Sequence, residues 1–210
     1  KKQLFGFIGI DLPAGPSEVL VIANNKSNPS WIAYDVLAQG EHDPNAKTFV
    51  ITKNKNILLK VKNELQRIMK ETKIKNVDRS IKNNCYLILA KSQKEIFEIT
   101  NFIAPEHLHI HEKFNKNILR NIINAGSVFL GEKSPVALGD YTMGTNHVLP
   151  TDQTAKFSSG LGVEDYTKKT VFIKPGNKTL KKIAKPTINL ARQEGLEAHA
   201  LSVEIRKIKT

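Results

Sequence analysis

Short apolar runs alternate with longer amphipathic segments along the chain as far as Gly131. Continuous apolar runs such as residues 19–23 are typical of strands buried on both faces of a sheet. The sequence predicts strands at residues 19–23, 48–52, 85–90, 108–110 and 127–130, and helices at 29–39, 57–69, after Ser92, and at 114–123. This alternation indicates βαβ units, and therefore an α/β protein with a partial Rossmann-like layered fold and a mainly parallel sheet.

The regular pattern stops near Gly131, and residues 131–162 are rich in Gly, Pro, Ser, Thr and Asn. An irregular segment of that length inside a domain usually carries function. Beyond it we expect a small α+β tail domain, with a strand at 170–173 and a helix at 178–194 that Pro186 interrupts. The predicted divisions are residues 1–18, an α/β domain at 19–161, and a tail at 162–210.

Composition narrows the class of protein. The net charge is +12, but the lysines are scattered along helical segments without interleaved aromatic residues. This distribution favours solvated helix faces over nucleic-acid binding. The single cysteine, Cys85, excludes an internal disulfide and fits a reducing compartment, and no apolar run is long enough to span a membrane. We therefore expect a cytoplasmic protein with neither nucleic-acid nor membrane partners.

Among the six histidines, His107, His109 and His111 alternate, so they share one face of a predicted strand. The pattern suggests a metal site, and the equally weighted alternative is a short edge strand that exposes two of them. Gln39 and His42 share a helix face at i, i+3 spacing, which is weak evidence for a metal site because glutamine is an uncommon ligand.

Two further positions could carry chemistry. Glu106-His107 follows Pro105 and places a carboxylate beside an imidazole, a pair that could divide proton transfer between them; the alternative is a polar loop tip. Asp140 opens the glycine-rich segment, either near a ligand or as a turn residue. No dinucleotide, phosphate-loop or nucleophile-elbow motif is present, so local patterns alone name no reaction.

Read as longer segments, the chain resembles the histidinol dehydrogenase family. The similarity is carried in order by Ala38-Gln39-Gly40-Glu41-His42-Asp43 and Ala104-Pro105-Glu106-His107-Leu108, together with residues 9–23, 124–131, 138–141, 146–151, 157–161 and 194–200. Gly40 stands where the family commonly has Ala. The resemblance implies oxidation of L-histidinol through L-histidinal to L-histidine, with two NAD⁺ and one water, as the last steps of histidine biosynthesis.

The resemblance also implies residue roles. It gives Glu106 and His107 as the acid–base pair, and it leaves His109 and His111 without a role. The implied zinc ligands are Gln39, His42, Asp140 and His199. The implied histidinol contacts are Ser17, Gln39, His42, His107, Asp140, Glu194 and His199.

The resemblance further implies a homodimer, in which Glu194 and His199 of the tail complete the partner's site. It covers the carboxy-terminal half of the family's chain, and most NAD contacts lie in the other half. Because the chain begins at Lys1, without Met and at the edge of an apolar segment, we expect a fragment that can be inactive alone. The alternatives are a non-catalytic protein that binds zinc or imidazole, and a nucleic-acid-binding protein.

Overall fold

The computed structural model describes residues 1–13, 15–72, 74, 77–111 and 116–207. Within these residues the chain forms five strands and eight α-helices. The strands are β1 (Glu18–Ile22), β2 (Lys47–Thr52), β3 (Cys85–Leu89), β4 (His107–Ile110) and β5 (Ser127–Leu130). The helices are α1 (Pro29–Gly40), α2 (Lys55–Glu71), α3 (Val77–Asn84), α4 (Gln93–Ile103), α5 (Lys116–Asn121), α6 (Ala137–Tyr141), α7 (Asn177–Gln193) and α8 (Glu197–Lys207).

The strands form one parallel sheet in the order β3-β2-β1-β4-β5. Helical connections between successive strands are what parallel pairing requires. The order reverses between β1 and β4, which are hydrogen-bonded neighbours at the centre of the sheet. The α/β class predicted from the alternating pattern is confirmed.

Each face of the sheet has its own apolar core. Val19 and Val21 of β1 pack with α1 and α2 on one face, whereas Leu20 and Ile22 pack with α4 and α5 on the other. Leu108 and Ile110 of β4 belong to the second core. Since side chains alternate along a strand, the three histidines that alternate with them face α1.

The five predicted strands agree with the observed ones to within one residue at each end. The alternative of an exposed edge strand for the histidines is wrong, because β4 lies between β1 and β5 and all three side chains are buried. Helix α3 was not predicted, since it buries only Val77 and Ser80 and so has little apolar pattern. Of the helix predicted at 114–123, residues 114 and 115 lie outside the described residues.

The chain divides into two compact units, Lys1–Tyr166 and Thr167–Thr210. In the second unit, Arg192 of α7 forms ion pairs with Glu197 and Glu204 of α8. No described helix in either unit is long and apolar enough to cross a membrane.

Two expectations for the tail are wrong. Residues 170–173 form no strand, and no other strand among the described residues of this unit is present to pair with them; the side chain of Phe172 is exposed. Pro186 lies inside α7 without ending it. The proline removes one backbone donor, but Ala184 and Ile188 on either side of it are buried, and this packing keeps the helix continuous.

Candidate active site

The candidate site lies at the amino-terminal edge of the sheet. Helix α4 ends at Ile103 and is capped by Ala104, whose φ of 48° is in the left-handed region, and Pro105 then leads the chain into β4. This turn places Glu106 immediately before the strand and His107 at its first position, in register with Val19 of β1. Both side chains are buried, so the alternative of a polar loop tip is wrong.

Hydrogen bonding fixes the tautomer of His107. Its Nδ1 lies 3.2 Å from the backbone carbonyl of Glu18, and a carbonyl oxygen can only accept a hydrogen bond. Nδ1 therefore carries the proton, and Nε2 presents a lone pair 3.8 Å from Oδ1 of Asp140. Burial lowers the pKa of His107, partly offset by the nearby Asp140 carboxylate. The neutral form is a ready proton acceptor.

Glu106 has the complementary property. Burial raises the pKa of its carboxyl to about 7, and the neighbouring carboxylates of Glu18 and Asp140 add to that effect. Hydrogen bonds from the Glu18 amide and the Ser17 side chain lower the pKa of Glu106 and so offset part of this increase. A carboxyl group that titrates near neutrality can both take up and release a proton under cellular conditions.

The buried carboxylate of Glu18 and the side chain of Lys47 lie close to this pair. Burial raises the pKa of Glu18, whose Oε1 accepts a hydrogen bond from Lys47 at 3.3 Å. Lys47 Nζ also bonds Asp152 Oδ1 at 2.7 Å. Neither Glu18 nor Lys47 was singled out by sequence patterns, because each is an ordinary charged residue at the start of a strand. Their importance depends on contacts between distant segments.

Two glycines allow the backbone to approach the pair closely. A Cβ atom at Gly126 would lie 2.6 Å from the carbonyl oxygen of Glu106. One at Gly139 would lie 2.6 Å from Cζ of Phe129, whose ring centroid is 6.0 Å from that of His107. The absence of a side chain at Gly139 thus lets α6 bring Asp140 next to His107.

Three of the predicted zinc ligands belong to the first unit. Gln39 is buried at the end of α1, His42 follows that helix, and Asp140 lies in α6. His42 and Asp140 both act electrostatically on the His107 ring, His42 lowering its pKa and Asp140 raising it. Imidazole nitrogen, carboxylate oxygen and amide oxygen are donors that zinc accepts, so the chemistry of these residues fits the metal.

The other predicted contacts divide between the units. Ser17 precedes β1 and reaches Glu106 through its side chain. Glu194 caps the carboxyl end of α7, and His199 lies in the first turns of α8. Both belong to the second unit.

A second group of potential ligands was predicted only in part, since the sequence pattern suggested a metal site at His109 and His111 but gave no role to Asp35. Among the described residues, the only cluster of three or more His, Cys, Asp or Glu side chains with mutually close ligand atoms is Asp35, His109 and His111. It contains none of the four predicted zinc ligands. Asp35 was counted only as part of a helical pattern, and no local signal connects it with a strand so far along the chain.

The comparisons with known proteins all point to the same family. The family model described as histidinol dehydrogenase matches residues 1–207. Histidinol dehydrogenase from Listeria monocytogenes serovar 1/2a is 44% identical over 207 residues, covering 98% of this chain and 48% of the relative. The protein of the same name from Methanocaldococcus jannaschii is also 44% identical, with the same coverage of both chains.

A solved structure agrees with this result. The crystal structure of histidinol dehydrogenase from Elizabethkingia anophelis matches with a TM-score of 0.87 and 36% identity, over 97% of this chain and 47% of that one. The chain therefore spans about half the length of the relatives it matches.

Proposed function

The chain belongs to the histidinol dehydrogenase family, and we propose that it supplies the carboxy-terminal, active-site half of an enzyme that oxidises L-histidinol through L-histidinal to L-histidine. Two NAD⁺ and one water are consumed, as the last steps of histidine biosynthesis in the cytoplasm. The observation that carries the proposal is the buried Glu106–His107 pair, in which burial lowers the pKa of His107 and the hydrogen bond from Nδ1 to the Glu18 carbonyl leaves the lone pair on Nε2.

His107 takes part in the first oxidation. Its Nδ1–H is held by the Glu18 carbonyl, so Nε2 accepts the proton of the substrate hydroxyl while the carbinol hydrogen departs as hydride. The alcohol thereby loses two electrons and becomes the aldehyde. Removing the proton as the hydride leaves lowers the barrier, because the carbonyl bond forms without a free alkoxide.

Glu106 takes part in the second oxidation. Its pKa of about 7 leaves a substantial fraction ionised at neutral pH, and this fraction can accept a proton from water as the water adds to the aldehyde. The hydrate anion formed in this way then loses a hydride and its remaining hydroxyl proton to give the carboxylate. A protein that holds the aldehyde between the two steps protects a reactive intermediate from solution.

Zinc would be held by Gln39, His42, Asp140 and His199. Histidinol would be contacted by the same four residues together with Ser17, His107 and Glu194. When bound, zinc would hold the substrate's imidazole and amine nitrogens and so orient the carbinol carbon, and NAD⁺ would accept the hydride. Most contacts to NAD⁺ are proposed to come from the half that this chain does not span. The donor chemistry of the first-unit ligands supports the metal assignment.

We further propose a homodimer in which the second unit, with Glu194 and His199, completes the partner's site. The separate compactness of residues 167–210 supports this, as do the exposed apolar side chains of Val171, Phe172 and Ile173. Such an arrangement makes the site dependent on dimerisation.

The test is to join this chain to the half of the Listeria monocytogenes relative that it does not match, load zinc, and follow NADH with excess NAD⁺ and limiting histidinol. Two NADH per histidinol are expected, and none from a Glu106→Gln, His107→Asn double variant. If a folded, dimeric, zinc-loaded protein forms no NADH, the proposed dehydrogenase activity is refuted. Histidinol binding without NADH would instead favour a non-catalytic imidazole-binding protein.

A further inference from the structure

A group of buried ligands lies beside the candidate active site but shares no residue with it. Asp35 lies on α1 one turn before Gln39, and His109 follows His107 by two residues on β4. Oδ2 of Asp35 lies 2.8 Å from Nδ1 of His109 and 3.9 Å from Nε2 of His111. One potential ligand atom from each of the three residues lies within 4.8 Å of the other two.

His109 is arranged as metal-bound histidines are. Its Nε2 lies 2.9 Å from the carbonyl oxygen of Gly131, so Nε2–H donates to that oxygen. This bond fixes the ring so that Nδ1 faces the Asp35 carboxylate. Histidines that bind metals characteristically donate their other ring N–H to a carbonyl or carboxylate. Nδ1 and the carboxylate contact each other directly at 2.8 Å, and a cation bound by both atoms would replace that contact.

His111 provides a second and independent observation. Its side chain is 0% exposed, and neither ring nitrogen has a hydrogen-bond partner among the described residues. Buried polar side chains without a partner are rare in folded proteins, and they often mark an ion or ordered water. The ring lies 4.3 Å from that of His109, so both imidazoles border the same space.

The cluster also has a route to solvent. Asp35 keeps 10% of its side-chain surface exposed. It lines an open pocket of about 460 Å³ with Trp31, Tyr34, Glu132, Lys133 and Pro135. An ion can enter from this pocket, and water there can supply a further ligand.

We propose that Asp35, His109 and His111 bind a divalent transition-metal ion of the zinc type. Two imidazoles and one carboxylate are typical ligands for zinc, cobalt or nickel, and water completes the coordination. The site is distinct from the zinc site proposed for catalysis. The ion links α1 to β4, the two elements that carry Gln39 and His107, and so stabilises the wall of the active site.

The experiment uses the full 210-residue chain with His42→Ala, which removes a ligand of the proposed catalytic zinc. This variant is titrated with Co²⁺ and Zn²⁺, and bound metal is measured after desalting. One tightly held equivalent is expected, and X-ray absorption of the zinc form is expected to show two imidazoles at about 2.0–2.1 Å. The catalytic ligands left in this variant include one imidazole only, so the count of imidazoles separates the two sites.

Adding His111→Asn or Asp35→Asn to His42→Ala is expected to weaken Co²⁺ binding at least about 100-fold, whereas adding His147→Asn, at an exposed histidine, leaves binding unchanged. Circular dichroism reports whether each variant folds. The X-ray absorption measurement is made on the His42→Ala chain alone, so it tests the site even if a double variant does not fold. Absence of bound metal, fewer than two imidazoles, or unchanged binding in both folded variants would overturn the proposal. In those cases Asp35 and His109 form a buried ion pair only.

Discussion

The backbone amide of Glu18 donates a hydrogen bond to Oε2 of Glu106 over 2.9 Å, between residues 88 positions apart in the chain. The same residue accepts from His107 through its carbonyl oxygen. The backbone at the start of β1 thus holds both members of the proposed acid–base pair, while the Glu18 side chain raises the pKa of Glu106. Four predictions follow from these contacts.

Glu106→Gln is expected to flatten the pH dependence of stability. The pKa of Glu106 is about 7 in the folded chain, against an ordinary value of 4.5, so the folded state binds the extra proton between these values. The contribution of Glu106 to the free energy of unfolding is therefore fully present below pH 4.5, and it declines as the pH rises toward 7. Near pH 6, the slope of unfolding free energy against pH should become less negative by up to about 1.4 kcal/mol per pH unit.

Urea titrations from pH 4.5 to 8 measure this slope. Glu18, whose pKa is also raised, leaves part of the slope in the variant. Glu98→Gln is the control, since its side chain is 62% exposed. Equal slopes for Glu106→Gln and the unmodified chain would show that Glu106 titrates normally.

His107→Asn is expected to lower kcat for NADH formation about 10²–10⁴-fold in the joined two-half protein, because the base that accepts the hydroxyl proton is lost. KM for histidinol should change far less than kcat. His147→Asn, at an exposed position, is the matched control. If kcat survives in a folded His107→Asn protein, another group is the base.

Gly126→Ala is expected to destabilise the first unit by about 1–3 kcal/mol, because the added Cβ would lie 2.6 Å from the Glu106 carbonyl oxygen and overpacking of a tight site costs that much. Gly9→Ala is the control, since a Cβ there meets no atom within 4 Å. Urea unfolding at pH 7.5 compares the two. Equal midpoints would mean that the backbone relaxes freely behind Glu106.

Lys47→Met is expected to raise the pKa of Glu18 further, because the Lys47 charge and hydrogen bond lower it in the unmodified chain. At pH 8 the buried carboxylate then has no cation, and stability should fall by about 1–2 kcal/mol. At pH 5 the loss should be smaller, since Glu18 can be protonated. Lys94→Met, at a side chain 86% exposed, is the control, and a pH-independent loss would contradict the assignment.

Sequence patterns were sufficient to predict the strands and helices whose residues are all buried or are buried at regular intervals. Every residue of β1 is buried, so its apolar run identified it without ambiguity. Helix α3 was not predicted because it is short and buries only Val77 and Ser80, which are too few positions for a visible apolar repeat. The β-branched and aromatic residues at 171–173 favoured a strand by propensity alone, but strands form only where a neighbour supplies hydrogen bonds.

The site was predictable only in part for a related reason. Glu106 and His107 are adjacent in sequence, so their pairing was visible at once. The contact between Asp35 and His109, 74 positions apart, and that between Lys47 and Asp152, 105 apart, arise only when α1, β2, β4 and the irregular segment come together. No local pattern encodes those contacts.

The location of the candidate active site at the amino-terminal edge of the sheet has an electrostatic consequence. Helix α1 runs antiparallel to the strands and ends at Gly40, so it directs the negative end of its dipole toward this edge. That potential attracts cations such as a metal ion or the ammonium group of an amino alcohol, and it disfavours phosphates. A dinucleotide would therefore reach this edge with its positively charged nicotinamide ring and keep its pyrophosphate elsewhere.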